Sequence, residues 1–442
     1  MNILVIGNGF DLAHDLPTKY TDFLEFCKVV LAIFTDAKPM DRKTFEDKYL
    51  IEWKVNKKIK NELIDLHFCI CICNNEKNFL INHPYVRELQ QMIFENIWIE
   101  YFFQCNMYQK ENWIDFESEI SKVIQSLDND MHGLSQVYNI EDIVHDLSNA
   151  FLKEKYSDYI DAVQSINSVD NGFSGGISFK VIRDKLLDDL NRLIRVFEIY
   201  LCEYVEKIEI EKRSPDIEEL KIDHVLSFNY THTFSELYNV AQREENISVN
   251  SFDYIHGEAD IKNTIKSNNM VLGIDEYLSK KQRNKDVEFI AFKKYYQRIY
   301  KGTGCKYKEW IEKIQSGYRG SLDSEANCRK FLDYAMMRND LEEAGNWLMK
   351  SFKHCENRKA DIHNLYIFGH SLDITDKDIL RDLILNDNVH TTIFYHDKDT
   401  MGQQIANLVK VIGQDELIRR TGGNTKTIEF KPQKPMEPID KL

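Results

Sequence analysis

Apolar residues along the chain follow two patterns: short unbroken runs that stop at glycine or a polar turn, and longer stretches in which they recur every three or four positions. The first pattern predicts buried strands and the second amphipathic helices. Residues 3–6 (ILVI) form the first short run and stop at Gly7-Asn8-Gly9, after which DLAHDL is compatible with a helix start. Further runs lie at 224–230 (HVLSFNY), 251–258 (SFDYIHGE), 270–276 (MVLGIDE), 365–373 (LYIFGHSLD) and 391–397 (TTIFYHD). Helical periodicity fills the space between them. Phe23, Leu24, Phe26, Val29, Val30 and Phe34 share one helix face, residues 86–108 predict a longer aromatic-rich helix, and Leu186, Leu187, Leu190, Leu193, Ile194, Phe197 and Leu201 mark another. A glycine-rich break at 171–179 precedes that last helix, and residues 281–355 return to helical patterning.

Six short apolar strands separated by helices predict an α/β fold, a mainly parallel sheet with helices on both faces. Because the strands bracket the helical blocks, the expected organisation is one discontinuous domain from residues 1–20, 220–280 and 360–415, with helical insertions at 21–215 and 281–358 and a C-terminal tail at 416–442. Ligands of open parallel sheets bind at the carboxyl ends of the strands. The polar residues gather there: Gly7, Asn8, Gly9 and Asp11 after the first strand, Asn229, Tyr230, Thr231 and His232 after the second, and His256 and Gly257 after the third. Asp275, then Gly369, His370, Ser371 and Asp373, then His396 and Asp397 follow the others. Glycine suits close approach of backbone to a ligand, and Asn, His and Ser suit hydroxyl groups. Each has a plainer explanation as turn former, strand exit or core histidine, but five strand ends supplying such groups together point to a site. Asp115 and Glu117 admit two readings, helix-start chemistry through the macrodipole or a carboxylate pair aimed at a site.

Composition narrows the function classes. A net charge of −15, with basic residues dispersed, argues against binding along an extended nucleic-acid backbone. No apolar run approaches the ~20 residues of a membrane span, and Met1 leads into a strand without a basic n-region, so a cytoplasmic protein without membrane contact is expected. The nine cysteines are an odd number and lack a second Cys or His pair at metal-ligand spacing, which predicts buried reduced thiols and no metal site. Cys69, Cys71 and Cys73 would share one strand face or spread around a helix.

NILVIGNGFDLAHDLPTKYTDFL, NWIDFE, VLSFNYTHT, YIHGE, FKKYYQRIYKGTG and IFGHSLDITDKDIL together resemble the bacterial abortive-infection AbiH family, from the N-terminus to about residue 397. GNGFDLAHDLPTKY, FNYT, IHG and GHSLD are also similar, more distantly, to the sirtuin-like domains of phage-defence proteins, which have a Rossmann-type fold and split NAD. That resemblance implies a Rossmann-like, sirtuin-like sheet in which Gly7 and Gly9 match the phosphate turn, Asn229 the catalytic Asn, His256 the catalytic His, and Gly369 with Ser371 the late nucleotide turn. Asn8, Asp11, His370 and Asp373 would complete the nucleotide contacts. Asn8 and Phe10-Asp11 stand where the sirtuin pattern prefers small residues, and no Cys-x-x-Cys pairs mark a zinc module, so deacetylation is not implied. The expectation is an antiphage effector that binds NAD or a related adenine nucleotide as substrate, without a required cofactor, and hydrolyses its N-glycosidic bond. A phage or host trigger protein and self-association would regulate it. The rivals are a nucleotide-binding sensor or scaffold without turnover, and a metal-dependent phosphoesterase or nuclease built on Asp115, Glu117, Asp373 and histidines.

Overall fold

The computed structural model describes residues 1–35, 39–51, 53, 55–72, 83–105, 114–133, 175–244, 251–279, 282, 285–318, 326, 329–330 and 361–439. Six strands make the sheet: β1 (Asn2–Ile6), β2 (His224–Ser227), β3 (Ser251–Tyr254), β4 (His363–Phe368), β5 (Val389–Tyr395) and β6 (Ile428–Pro432). Every pairing is parallel and the order is β3-β2-β1-β4-β5-β6. The chain moves outward from β1 in one direction, then returns to β1 and moves outward in the other. The strand order therefore reverses between β1 and β4, where a crevice opens at the carboxyl ends.

The alternation of side chains along β1 explains why helices cover both faces. Ile3 and Val5 join Leu226, Leu365, Ile367, Leu380 and Leu408 in one core, and Leu4 and Ile6 join Phe10, Val225, Phe234 and Phe368 in the other. Helices α1 (Asn8–Ala13), α2 (Tyr20–Thr35), α3 (Arg42–Tyr49), α4 (Lys57–His67), α5 (Tyr85–Ile93), α6 (Ile97–Gln104), α7 (Phe116–Gly133) and α8 (Gly175–Tyr200) precede β2. From α2 onward they bury a separate, aromatic-rich core containing Phe23, Phe26, Trp98, Phe102, Phe116 and Phe197. α9 (Thr233–Glu244), α10 (Lys294–Lys301), α11 (Lys377–Ile384), α12 (Lys398–Ile412) and α13 (Gln414–Thr421) follow.

Two strand expectations need correction. Residues 270–276 form no strand of the sheet: Met270, Leu272 and Ile274 pack into the helical core. Their backbone groups find other partners. Leu272 exchanges two hydrogen bonds with the Gln297 side chain at 3.1 Å, and Ile274 N–H donates to Phe292 O at 2.8 Å. An apolar run whose main chain is satisfied by a side-chain amide mimics a buried strand in sequence alone. Conversely, Ile428–Pro432, expected within the tail, is edge strand β6. Its mixed IEFKP composition suits an edge strand rather than a core one. Of the cysteines, Cys27 and Cys105 are buried as expected, Cys69, Cys71 and Cys202 are half-buried, and Cys305 is exposed. Residues 68–72 form a π-helical turn. Cys73, residues 106–113 (which include the first two positions of NWIDFE), residues 171–174 of the glycine-rich break and nearly all of the second insertion beyond residue 318 lie outside the described residues, and residues 175–179 of that break are not a break but the start of α8.

Candidate functional site

The crevice between β1 and β4 opens into a cavity of about 570 Å³ between the carboxyl edge of the sheet and helices α2, α7 and α8. Gly7, Asn8, Gly9, Asp11, Asn229, His256, Gly369, His370, Ser371 and Asp373, the ten residues to which the resemblance assigns catalytic or nucleotide contacts, all line it, whereas Gly257 does not. They come from the ends of β1, β2, β3 and β4, so a sheet with this strand order brings them together from positions more than 360 residues apart.

The glycines are explained first by packing of the two turns. Gly369 has φ +68°, and a Cβ there would lie 2.1 Å from Phe10 N; a Cβ on Gly9 would lie 2.8 Å from Gly369 Cα. The Gly7, Gly9 and Phe10 N–H groups donate to Phe368 O (3.3 Å), Gly369 O (2.7 Å) and Gly7 O (2.8 Å). These donors are therefore engaged within the protein, and the turn serves chiefly to bring two strand ends into contact. Leu372, also left-handed at φ +59°, holds a strained conformation in the β4 turn.

Asn229 Nδ2 donates to Gly7 O at 3.0 Å, which ties the β2 turn to the β1 turn. Asp11 is 1% exposed; its Oδ2 accepts from Thr231 Oγ1 at 2.6 Å, and its Oδ1 has no hydrogen-bond partner. Burial pushes the Asp11 carboxyl up to about 6, against the opposing hydrogen bond from Thr231. The folded value exceeds the ordinary one, so the buried charge opposes folding above pH 6 and stops doing so below pH 4, where the group is neutral in both states. Asp11→Asn is accordingly expected to increase stability to urea by roughly 2 kcal/mol at pH 8 and by nothing at pH 3.5. A loss of stability at pH 8 would contradict this.

Sequence reasoning missed the group at the centre of the site. Asp376 Oδ1 lies 3.4 Å from His256 Nε2 and 3.7 Å from Lys294 Nζ, and its Oδ2 lies 3.4 Å from His370 Nε2. Lys294, at the start of α10, also pairs with Glu117 Oε2 of α7 at 2.6 Å. His370 Nδ1 accepts the Leu372 N–H at 2.9 Å, which leaves the proton on Nε2, facing Asp376. His256 Nδ1 is buried without a partner. Burial lowers His256 to about 4, with Asp376 opposing, so the imidazole is neutral at pH 7. Although burial disfavours charge on both, Lys294 and the two histidines hold the Asp376 carboxyl well below the usual range, and Glu117 with Asp376 and Asp275 raises Lys294 above its own. Burial pushes Glu117 up to about 8, against Lys294.

Both readings of the acidic α7 start hold at once. Asp115 Oδ1 caps the helix, accepting from Glu117 N at 3.0 Å and Ser118 N at 3.4 Å, and Asp115 and Glu117 both line the cavity. His232, in contrast, sits in a separate cleft between Glu206 (3.0 Å) and Glu258 (3.3 Å), and His396 pairs with Asp397 at an exposed strand end. Asp275 lines a small adjoining pocket with Lys294 and Asp376. Among the described residues no group of three or more His, Cys, Asp or Glu side chains is placed to hold a metal ion, and no described helix is long and apolar enough to cross a membrane.

Over residues 3–396 the chain matches the family described as Bacteriophage abortive infection AbiH. The chain belongs to the AbiH family. Its role is thereby bacteriophage abortive infection. No curated protein and no solved structure matches the chain. Within this AbiH-family chain the match spans all the cavity-lining residues except Gln403 and Asn407, which α12 supplies.

Proposed function

We propose that this AbiH-family protein binds NAD or a related adenine nucleotide in the cavity and hydrolyses its N-glycosidic bond, depleting the infected cell. The observation that carries the reading is the convergence of Asn229 and a neutral His256, with its Nδ1 unpartnered, on one cavity at the point where the strand order reverses. The sirtuin-like resemblance of FNYT, IHG and GHSLD supports the choice of substrate.

In this mechanism a water oxygen attacks the ribose C1′ while the C1′–nitrogen bond breaks. The bonding pair goes to the pyridinium nitrogen, which becomes neutral, and the water's proton goes to His256 Nδ1. The products are ADP-ribose, nicotinamide and one proton. Asp376, accepting at Nε2, orients the imidazole and stabilises the imidazolium that forms. Asn229 orients the ribose hydroxyl or the water through its side-chain oxygen. Asp11 and Asp373 stabilise the oxocarbenium-like charge. Helices α2, α7 and α8 contribute to the cavity wall, and a phage or host protein acting on them would regulate access.

The test is incubation of the purified protein with NAD, alone and with lysate from phage-infected cells, followed by measurement of free nicotinamide. Nicotinamide release supports hydrolysis. Absence of release under both conditions, with NAD still binding, would favour a sensor without turnover.

A further inference from the structure

The charge balance of the cavity identifies what it recognises. Five carboxylates, Asp11, Asp115, Glu117, Asp373 and Asp376, line it against one described cation, Lys294, which Glu117 and Asp376 already hold. Asp11 is 1% exposed and its Oδ1 lacks a hydrogen-bond partner, whereas Asp376, 9% exposed, is already held by Lys294 and the two histidines. Buried carboxylate oxygens left unpaired in a cavity wall are stabilised when a ligand brings positive charge to them. The aromatic rings of Tyr20, Phe197, Phe228 and Tyr230 line the same cavity, and aromatic faces also attract cations. Uncharged polar side chains better suited to phosphate oxygens also line the cavity: Asn8 and Ser371 are exposed at the turns of β1 and β4, and Gln403 and Asn407 come from α12.

We propose that the acidic and aromatic lining of the cavity selects a positively charged aromatic ring, so that the site takes the oxidised, pyridinium form of the dinucleotide and rejects the same molecule with a neutral ring. This rests on the dinucleotide reading above and adds the ring's charge as the determinant of specificity. A reduced dinucleotide would neither be cleaved nor occupy the site at comparable concentration, so the protein would respond to the oxidised pool alone.

Isothermal titration with two non-hydrolysable ligands tests this: carba-NAD, whose ring is cationic, and benzamide adenine dinucleotide, a planar isostere whose ring is neutral. The wild-type protein is expected to bind carba-NAD about tenfold or more tightly than the neutral isostere at pH 8. In Asp376→Asn, and independently in Asp11→Asn, the ratio is expected to fall toward one. Equal wild-type affinities for the two ligands would overturn the inference while leaving the dinucleotide reading intact. Binding of neither ligand would overturn that reading and this one with it. A folded variant of either aspartate that kept the wild-type ratio would remove that carboxylate from the proposal.

Discussion

Replacing His256 with alanine is expected to reduce the rate of NAD hydrolysis by about 10²- to 10⁴-fold, the range for loss of a general base, with a much smaller change in KM. The side chain is one wall of the cavity, and it is the one neutral imidazole there with an unpartnered nitrogen. The pH dependence distinguishes a base from a residue that merely shapes the wall. Burial lowers His256 to about 4, so the base form persists from neutral pH down to about pH 5. Measured in an Asp11→Asn background, which removes the titration of Asp11 near 6, the rate should be flat above pH 5 and decline below it as the imidazole takes up a proton. Asp376 raises the histidine's value and Lys294 and Arg298 lower it. Asp376→Asn should therefore move the acidic limb to still lower pH while lowering the plateau. A limb near 6.5, or an unchanged profile in the Asp376 variant, would remove His256 from the chemistry. Asn229→Ala is a less clean probe because its Nδ2 also joins the β1 and β2 turns through Gly7 O. Asn229→Asp, with KM and kcat measured separately, separates the two contributions.

The same geometry explains which parts of the site were legible in the sequence. Strand-end positions are local: Asn229 and His256 each follow a strand by two residues, and Gly7 and Gly369 follow immediately. Once the sheet is parallel, their convergence follows from topology. Asp376 was hidden because an aspartate directly before Lys377 is what a helix N-terminus ordinarily requires. Here that residue sits at the N-cap of α11, yet its side chain makes no capping hydrogen bond and turns to the two histidines instead. A cap residue that does not cap breaks a local rule at a functional site, which only the folded chain reveals. Lys294 was hidden for the opposite reason. It stands in a Lys-rich segment that reads as a solvated helix face, but the side chain is 4% exposed. The strand mistaken at 270–276 and the strand missed at 428–432 share a cause: apolar density reports burial, whereas sheet membership depends on where the backbone hydrogen bonds go.

Lys294→Met is expected to destabilise the protein by about 3–5 kcal/mol at pH 8, as removal of one partner from a buried ion pair does. Lys294 bridges α7 and the turn before α11, pairing with Glu117 at 2.6 Å and Asp376 at 3.7 Å, all three largely removed from water. Without it, two carboxylates that already repel each other stay buried with no countercharge. Glu117, already raised to about 8 by burial, would rise further and Asp376 would rise with it, so the deficit should be greatest at high pH and shrink as both groups take up protons between pH 8 and pH 5. Urea unfolding at pH 8 and pH 5 measures the difference. Adding Glu117→Gln to Lys294→Met removes one uncompensated charge and should recover a large part of the loss at pH 8. A single variant within 1 kcal/mol of wild type at pH 8 would mean that solvent reaches these charges, and the cavity could not then be the dry, acidic chamber argued above. If the double variant recovers stability yet fails to hydrolyse NAD, the ion pair acts beyond holding α7 in place. It keeps Asp376 ionised and aimed at His256 and His370, and so joins the helical insertion to the chemistry at the sheet edge.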